Sequence, residues 1–238
     1  MRINKTLKII GGLIVFFTLP TLLFFGFLYL KYDEDLPSGI QGEQADALAN
    51  KMLDALDHEK YNATNYLEWT FKGRHHFKWE KDRNICEVHW EDFKVRVHLN
   101  DTIQSKAFVH NFEVQGHQRA ELLSKAMDYF NNDSFWLVAP YKVFDPGVKR
   151  QVIKQDNGQE ALLVTYTSGG STPGDSYLWL LNDIGKPEGF KMWTSIIPID
   201  GFPASWNEWI TTESGAQLPS NHQLLFFSLD MGEVKGTK

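Results

Sequence analysis

Residues 66–99 alternate between apolar and polar side chains along four short segments, and this alternation constrains the fold more than any other sequence feature. Apolar side chains recur at every second residue, which is typical of strands with one buried face. Three short turns join the segments, at residues 72–74, 82–83 and 91–92. Turn length fixes which residues face each other across a hairpin. These turns pair Phe71 with His75, Trp79 with Cys86, and Trp90 with Phe93.

Extending these pairs along the strands gives one apolar face and one polar face. The apolar face carries the rows Phe71–His75–Trp90–Phe93, Trp69–Phe77–Val88–Val95 and Leu67–Trp79–Cys86–Val97. The opposite face carries the rows Thr70–His76–His89–Lys94 and Glu68–Lys78–Glu87–Arg96. The last row alternates in charge, as favourable cross-strand pairing requires. Both faces agree with a single register, so the sequence predicts a four-stranded antiparallel meander with an aromatic face.

The rest of the chain contains two amphipathic helical patterns and many short strand-like segments. The first pattern begins near residue 43 and places on one stripe Ala45, Leu48, Ala49, Met52, Leu53 and Leu56. The second runs over residues 117–130, with an apolar side formed by Leu123, Ala126, Met127 and Phe130. Strand character returns at residues 102–110, 135–143, 148–155, 160–167, 175–182, 189–197, 206–211 and 222–230. This order predicts the α+β class: a mainly antiparallel, strongly curved open β-barrel or half-barrel covered by two or more helices.

The N-terminal region contains 22 consecutive uncharged residues, Ile9–Leu30. As a helix this stretch is about 33 Å long, which matches the apolar core of a bilayer. Basic residues precede it and mainly acidic residues follow it, so the N-terminus is expected in the cytoplasm. The alternative is a cleaved signal peptide, but the stretch is too long and lacks a small-residue cleavage site. The predicted division is a cytoplasmic segment 1–8, a transmembrane helix 9–30, a linker 31–42 and an extracytoplasmic domain 43–238.

Charge and cysteine content exclude some classes of function. The net charge is −6 and the pI is near 5.7, which argues against a nucleic-acid partner. Cys86 is the only cysteine, so neither an intrachain disulfide nor a cysteine-based metal site is expected.

The glycine-rich stretch "SGGSTPGDSYLWLL", residues 168–181, has the composition of several kinds of site. A phosphate-binding loop requires a lysine and a following helix, whereas a strand-like segment follows here. The G-x-S-x-G pattern of serine hydrolases is also absent. A hairpin connection with Pro173 and Gly174 at its tip is therefore predicted, in which Asp175 and Ser176 cap or brace the turn.

The histidines are the remaining candidates for chemistry. The register pairs His76 with His89, but Lys94 lies in the same row and would repel a cation, so no metal or other cofactor is predicted. His75 lies in an aromatic row, either as a buried polar residue bonded within the core or as a contact for a ligand headgroup. No hydrolytic motif is present, so the sequence predicts no enzyme, with a site assembled from distant loops as an alternative.

The order of these elements, together with the phrases "WLVAPYK", "DPGV" and "TPGDSYLWL", resembles the LolA/LolB-like lipoprotein-carrier superfamily. Within this superfamily it resembles in particular poorly characterised, membrane-anchored bacterial relatives, over residues 43–232. The resemblance implies an open β-barrel around an apolar cavity that helices cover, and the binding of lipoprotein acyl chains in the periplasm. It places no functional residue of the family on this sequence.

The leading hypothesis is a non-enzymatic, single-pass inner-membrane protein whose periplasmic domain binds a lipid, a lipoprotein acyl chain or another apolar ligand. The ligand would occupy a cavity on the concave face of the sheet. Its candidate lining residues are Leu67, Trp69, Phe71, His75, Phe77, Trp79, Val88, Trp90, Phe93, Val95 and Val97. The alternative is a structural or sensory domain that acts through protein–protein contacts and has no ligand cavity. A hydrolase with a site drawn from distant loops is the third hypothesis.

Overall fold

The computed structural model describes residues 5–238, apart from the side chains of Thr6 and Leu7. It begins with helix α1, Lys5–Tyr32, which carries the predicted transmembrane segment. Its portion Lys8–Tyr32 has a mean hydropathy of 2.3 and is long and apolar enough to cross a membrane. Nearly all of its side chains are exposed, as lipid-facing side chains would be. Residues 1–4 of the predicted cytoplasmic segment lie outside the described residues.

Residues 33–40, here called the connecting segment, lie on the domain surface and have no regular secondary structure apart from the bridge at Ile40. The predicted linker 31–42 therefore starts later than expected, because α1 continues to Tyr32. Ile40 forms an antiparallel bridge with Val152, with both amides donating across it at 3.0 and 2.8 Å. Gly39 lies so close to this bridge that a Cβ atom would overlap the Val152 carbonyl. The close approach explains the glycine at this position.

The first predicted amphipathic helix forms α2, Glu43–Ala55, followed by the short helix α3, His58–Asn62. Its buried side is the predicted stripe, with Ala45, Leu48, Ala49, Met52 and Leu53 all buried. The chain then enters the meander through β1 Tyr66–Phe71, β2 His75–Glu80, β3 Ile85–Trp90 and β4 Phe93–His98. Every pair in the three ladders matches the predicted register. The alternation and the short turns were sufficient to fix it.

The meander is the centre of a seven-stranded antiparallel sheet, sheet 1. The strands β5 Lys106–Val109 and β6 Phe112–Val114 extend it beyond β4, and the last strand of the chain, β15 Lys235–Thr237, pairs with β1. The predicted strand 102–110 is shorter than expected, because Thr102–Gln104 form a 3₁₀ turn. The strands β6 and β15 were not predicted, since three residues are too few to show a period of two.

Helix α4, Gly116–Val138, covers the apolar face of sheet 1 and is eight residues longer than the predicted helix at its C-terminal end. The predicted strand 135–143 was therefore wrong. Its buried residues continue the helical spacing of the predicted helix, as Phe130, Ser134, Leu137 and Val138 show. Pro140 follows in a 3₁₀ turn, Ala139–Lys142, that ends the helix. A short apolar run without alternation is compatible with either a strand or a helix.

The C-terminal half of the chain forms two smaller antiparallel sheets. Sheet 2 has the order β11-β10-β9-β8-β7, with β7 Val148–Lys154, β8 Glu160–Tyr166, β9 Ser176–Leu181, β10 Pro187–Trp193 and β11 Phe202–Ser205. Sheet 3 has the order β12-β13-β14, with β12 Asn207–Thr211, β13 Gln217–Leu224 and β14 Phe227–Asp230. The predicted strand 222–230 is thus a hairpin, and the predicted strand 189–197 ends at Trp193.

One large apolar core joins the three sheets to α2 and α4. A second, smaller cluster lies on the outer face of sheet 2 and consists of Ile153, Ala161, Leu163, Leu178 and Trp193. The α+β class and the antiparallel sheets are confirmed. Residues 5–238 form three separate sheets and no closed barrel, so the open-barrel description remains a prediction.

Candidate functional site

A cavity of about 340 Å³ lies between the C-terminal half of α4 and one end of sheet 2. This volume is at the lower end of the range for small-molecule sites. Its walls come from α4, from the 3₁₀ turn that follows α4, and from the ends of β8, β9 and β10. Two loops form its rim: the glycine-rich loop 168–172 and the β10–β11 loop, which contributes Thr194, Ile196 and Ile197. The cavity therefore lies where three parts of the chain converge.

The glycine-rich loop connects β8 to β9, as the sequence predicted, but it also borders the cavity. Gly169 and Gly170 have φ values of +79° and +63°, which glycine adopts without a steric penalty. The next residue, Ser171, accepts a hydrogen bond from Asn131 Nδ2 at 3.2 Å and donates one to Asp128 Oδ1 at 3.1 Å. The two consecutive left-handed glycines thus turn the chain so that the loop lies against α4.

Asp175 forms hydrogen bonds to both rim loops. Its carboxylate accepts a hydrogen bond from Thr172 Oγ1 at 2.6 Å and another from the Ser195 amide at 3.1 Å. Its side chain is buried, and its backbone carbonyl accepts from the Tyr166 amide at 3.0 Å. Ser176 bonds Thr165 across the neighbouring strands at 2.8 Å. The predicted bracing role of Asp175 and Ser176 is confirmed, and for Asp175 it extends to the opposite rim.

The inner wall of the cavity is aromatic. The ring of Phe135 lies 4.3 Å from that of Tyr177, and Trp136 and Met192 line the wall beside them. Burial raises the pKa of Tyr177, and also that of Tyr166, well above the ordinary value, so both hydroxyls stay protonated. At the mouth, Lys142 and Asp145 form an ion pair at 3.0 Å. The cavity therefore combines an aromatic wall with the buried Asp175 carboxylate and an ion pair formed by Lys142 and Asp145.

Thr194 provides a polar group inside this apolar wall. Its hydroxyl is buried and makes no hydrogen bond to any group in the described part of the chain. A buried polar atom without a partner costs about 1–3 kcal/mol, so such atoms are rare in folded proteins. Because Thr194 lines the cavity, a ligand is well placed to supply the missing partner. Sequence reasoning missed Thr194, since its segment read as one long strand.

The eleven residues proposed from the sequence as cavity walls lie together on the inner face of sheet 1, but they do not line this cavity. Six of them are fully buried: Leu67, Trp69, Phe77, Val88, Val95 and Val97. Trp79 and Trp90 are buried too, while Phe71, His75 and Phe93 are half-buried at the edge. They pack into the main core beneath α4, with the ring of Trp79 at 5.2 Å from that of Phe130. Their role as ligand contacts stays a prediction.

Three tryptophans of this face have buried indole N–H groups that make no hydrogen bond to the described residues. The indole nitrogens of Trp69, Trp79 and Trp90 are buried and have no hydrogen-bond partner among the described residues. The same holds for Trp179 and Trp206 in the part of the core next to sheet 2. Buried indole N–H groups usually find a partner, so these five lower the stability of the closed core.

His75 bonds to a buried carboxylate on α4. Its Nδ1 lies 2.6 Å from Asp133 Oδ2, and its ring stacks on Tyr129 with 3.8 Å between ring centroids. Burial raises the pKa of Asp133, while its bonds to His75 and Asn132 act in the opposite direction. Within residues 5–238 no hydroxyl or thiol bonds to the other ring nitrogen of His75, so the pair lacks the nucleophile of a hydrolytic triad. The geometry agrees with the first alternative for His75, a polar residue bonded within the core.

The solvent-facing histidines of the polar row also pair with carboxylates. His76 Nε2 lies 2.9 Å from Glu68 Oε1, and His89 Nε2 lies 2.7 Å from Glu87 Oε1. Burial acts to raise the pKa of both glutamates, but the pKa of Glu68 is lowered by its bonds to Tyr66 and His76, and that of Glu87 by its bond to His89. The described residues contain no group of three or more ligand side chains that could hold a metal.

His222 is a buried histidine that the sequence analysis did not single out. It lies on β13, and its ring nitrogens face two carbonyl oxygens: Trp136 O at 2.6 Å from Nε2 and Ser205 O at 3.1 Å from Nδ1. Burial lowers the pKa of His222 to about 4, even though the two carbonyls favour the protonated ring. The imidazole is therefore neutral at pH 7 and carries one N–H, which it donates to one of the two carbonyls while the ring lies between α4 and β11.

No protein-family model matches this chain, and no curated protein matches it in sequence. The resemblance to the LolA/LolB-like superfamily accordingly stays a prediction that rests on the phrases quoted above.

Proposed function

We propose that this protein is tethered to a membrane by α1 and binds a lipid-like amphiphile in the cavity between α4 and sheet 2. The observation that carries the proposal is the position of the cavity. Its rim loop, 194–197, continues directly into Asp200, the residue that bonds to the chain just after α1. An apolar cavity next to a membrane tether suits a ligand that is drawn from the bilayer or delivered to it.

The contacts at the end of α1 define this position. The Glu34 amide donates to Asp200 O at 3.1 Å, and the Asp200 amide donates to Asp33 Oδ1 at 3.0 Å. Ile197 precedes Asp200 by three residues, so at most about 11 Å of chain separates the rim from this junction. If α1 spans the bilayer, the cavity entrance therefore lies close to the headgroups on the side of the folded domain.

The cavity walls indicate how an amphiphile would lie. Its apolar chain would pack against Phe135, Trp136 and Met192, and its first polar group would bond to the Thr194 hydroxyl. The Lys142–Asp145 pair at the mouth would contact the headgroup. Phe130 both lines the cavity and contacts Trp79, so the cavity ends against the aromatic face that the sequence suggested as a ligand site. A longer chain would have to enter beneath α4.

The tether predicts a topology that can be tested directly. With Arg2, Lys5 and Lys8 before the apolar stretch, the N-terminus is expected in the cytoplasm and the domain in the periplasm. We expect alkaline phosphatase fused after Lys238 to be active, and a cytoplasmic reporter fused at the same place to be inactive. The opposite pattern would overturn the proposed orientation and localisation.

Ligand binding is tested on residues 33–238 purified without detergent, since both apolar clusters lie within this segment. We expect co-purifying lipid in native mass spectrometry and saturable uptake of a fluorescent fatty acid. Ile197→Trp places a larger side chain at the rim and is expected to reduce uptake. Thr194→Val removes the buried hydroxyl and is expected to weaken binding of the fatty acid by up to about tenfold, the value of one hydrogen bond.

Ile184→Trp is the matched control for the rim variant, because Ile184 is an exposed isoleucine in the β9–β10 turn and does not line the cavity. This variant is expected to bind like the wild type. A lipid-free protein without probe uptake, or equal uptake in all four proteins, would contradict the proposal.

A domain acting through protein contacts is the second candidate, and one observation favours it. On the inner face of sheet 1, eight of the eleven residues proposed as cavity walls are buried within the main core. A lipid-free domain in the binding experiment would favour this alternative over the amphiphile-binding one.

A further inference from the structure

The hairpin between β13 and β14 turns through Leu225 and Phe226, an unusual choice for a two-residue turn. Such turns normally contain glycine, asparagine or aspartate, because they require a positive φ. Here Leu225 has a φ of +50°, a conformation that is unfavourable for a leucine. The β5–β6 hairpin of the same protein shows the ordinary solution, with His110 and Asn111 at φ values of +47° and +68°. The Leu225–Phe226 turn therefore departs from the local rule and presents apolar side chains.

Two aromatic side chains at this turn, Phe226 and Phe227, project from the domain, while Leu225 is half-buried. Phe226 is 69% exposed and Phe227 is 70% exposed, although both are large aromatic residues. Adjacent exposed aromatics at a hairpin tip mark an interaction surface more often than isolated ones do. The polar pair Asn221 and Ser228, bonded to each other at 2.7 Å, lies further from the tip. The hairpin thus changes from polar to apolar as it approaches its turn.

The tip lies beside α1, within the apolar part of that helix. The ring centroids of Phe226 and Phe24 are 5.8 Å apart. A second contact joins Tyr32, at the end of α1, to Phe202 of β11 at 6.3 Å. Phe24 precedes Tyr32 by eight residues, which corresponds to about 12 Å along the helix axis. The tip is therefore level with the interior of the segment that is apolar enough to cross a membrane.

The backbone of the turn is suited to an apolar environment. The Leu225 carbonyl accepts a hydrogen bond from the side-chain amide of Gln223 at 2.7 Å. Leu224 and Phe227 close the hairpin as the last pair of the ladder. Unpaired backbone groups are costly in lipid, so a carbonyl bonded within the hairpin lowers the cost of transfer into the bilayer.

We propose that the hairpin tip, residues 225–227, inserts into the acyl-chain layer of the leaflet that faces the folded domain. The occupant of this apolar surface is the lipid bilayer itself, because the tip continues the lipid-facing surface of α1 through the Phe24 contact. This inference rests on the proposed tethering of the protein by α1. The domain then has two points of attachment to the membrane, α1 and the tip, and its orientation above the bilayer is fixed.

Single environment-sensitive labels on the full-length protein in liposomes test the insertion. A nitrobenzoxadiazole label is attached at Phe226→Cys, at Phe227→Cys, at Phe17→Cys in the middle of α1, and at Phe112→Cys. Phe112 is a matched control, since it is a 76% exposed phenylalanine in another hairpin. Cys86 is buried and burial raises the pKa of its thiol, so the unsubstituted protein serves as the labelling blank.

We expect the labels at positions 226, 227 and 17 to show blue-shifted emission and to lose most of it with nitroxide-bearing lipids. The label at position 112 is expected to show water-like emission and to be quenched by iodide. A lipid-exposed label at 17 with water-exposed labels at both 226 and 227 would overturn the insertion of the tip and leave the tether intact. Water-like emission at position 17 would overturn the tether, and the inserted tip with it.

Discussion

Trp69→Asp is expected to abolish the folded state of the domain. Trp69 is fully buried on the inner face of sheet 1, where its ring stacks on Phe77 with 4.6 Å between centroids. Removal of a buried tryptophan side chain costs about 3–5 kcal/mol, and an unpaired carboxylate in the same place costs several more. The sum is comparable with the total stability of a typical domain, about 5–15 kcal/mol. Near-ultraviolet circular dichroism and urea unfolding measure the loss.

Trp69→Phe is the control for this variant. The indole nitrogen of Trp69 has no partner among the described residues, so phenylalanine leaves no other group unpaired. We expect a decrease in the free energy of unfolding of about 1 kcal/mol, from the smaller ring alone. A Trp69→Asp protein with native dichroism and reduced ligand uptake would contradict a packed core here. It would support the cavity that the sequence suggested on this face.

His222 is expected to make the protein less stable as the pH falls from 6.5 to 4. Its pKa is about 4 in the folded protein and about 6.5 in the unfolded chain, so between these values the unfolded state binds the extra proton. The stability that the neutral ring contributes is complete above pH 6.5 and is lost as the pH falls towards 4. A difference of this size corresponds to roughly 3 kcal/mol.

The measurement compares the free energy of unfolding of the wild type and of His222→Gln from pH 7.5 to pH 4. Other groups titrate in this range, so the difference between the two curves isolates His222. We expect the variant to be less stable at pH 7.5 and the two curves to converge at lower pH. His117→Gln, at an exposed helix position, is expected to follow the wild type. Parallel curves for the wild type and His222→Gln would rule out the buried neutral ring.

The meander was predictable to the residue, because three tight turns and an uninterrupted alternation permit only one register. The boundary of α4 was not predictable, because Phe135–Val138 is an apolar run that a buried strand would also show. The sequence therefore could not identify the cavity wall either, since Phe135 and Trp136 form part of it. The sequence did identify the glycine-rich loop, but as a turn only. The loop also borders the cavity, because Ser171 contacts α4 some forty residues earlier in the chain. No local sequence pattern reveals such a contact.

The connecting segment also limits how far the domain can rotate relative to α1. Between α1 and α2, the Glu34 carbonyl accepts from Trp193 Nε1 at 2.8 Å and its carboxylate pairs with Lys191 at 2.6 Å. The Gly39 amide donates to Gln151 Oε1 at 2.9 Å. Because the segment is bonded to the domain at both ends, we expect rotation of α1 about its own axis to be restricted. Of the bonded strands, β10 leads into the cavity rim, so the position of α1 and that of the rim are expected to be coupled.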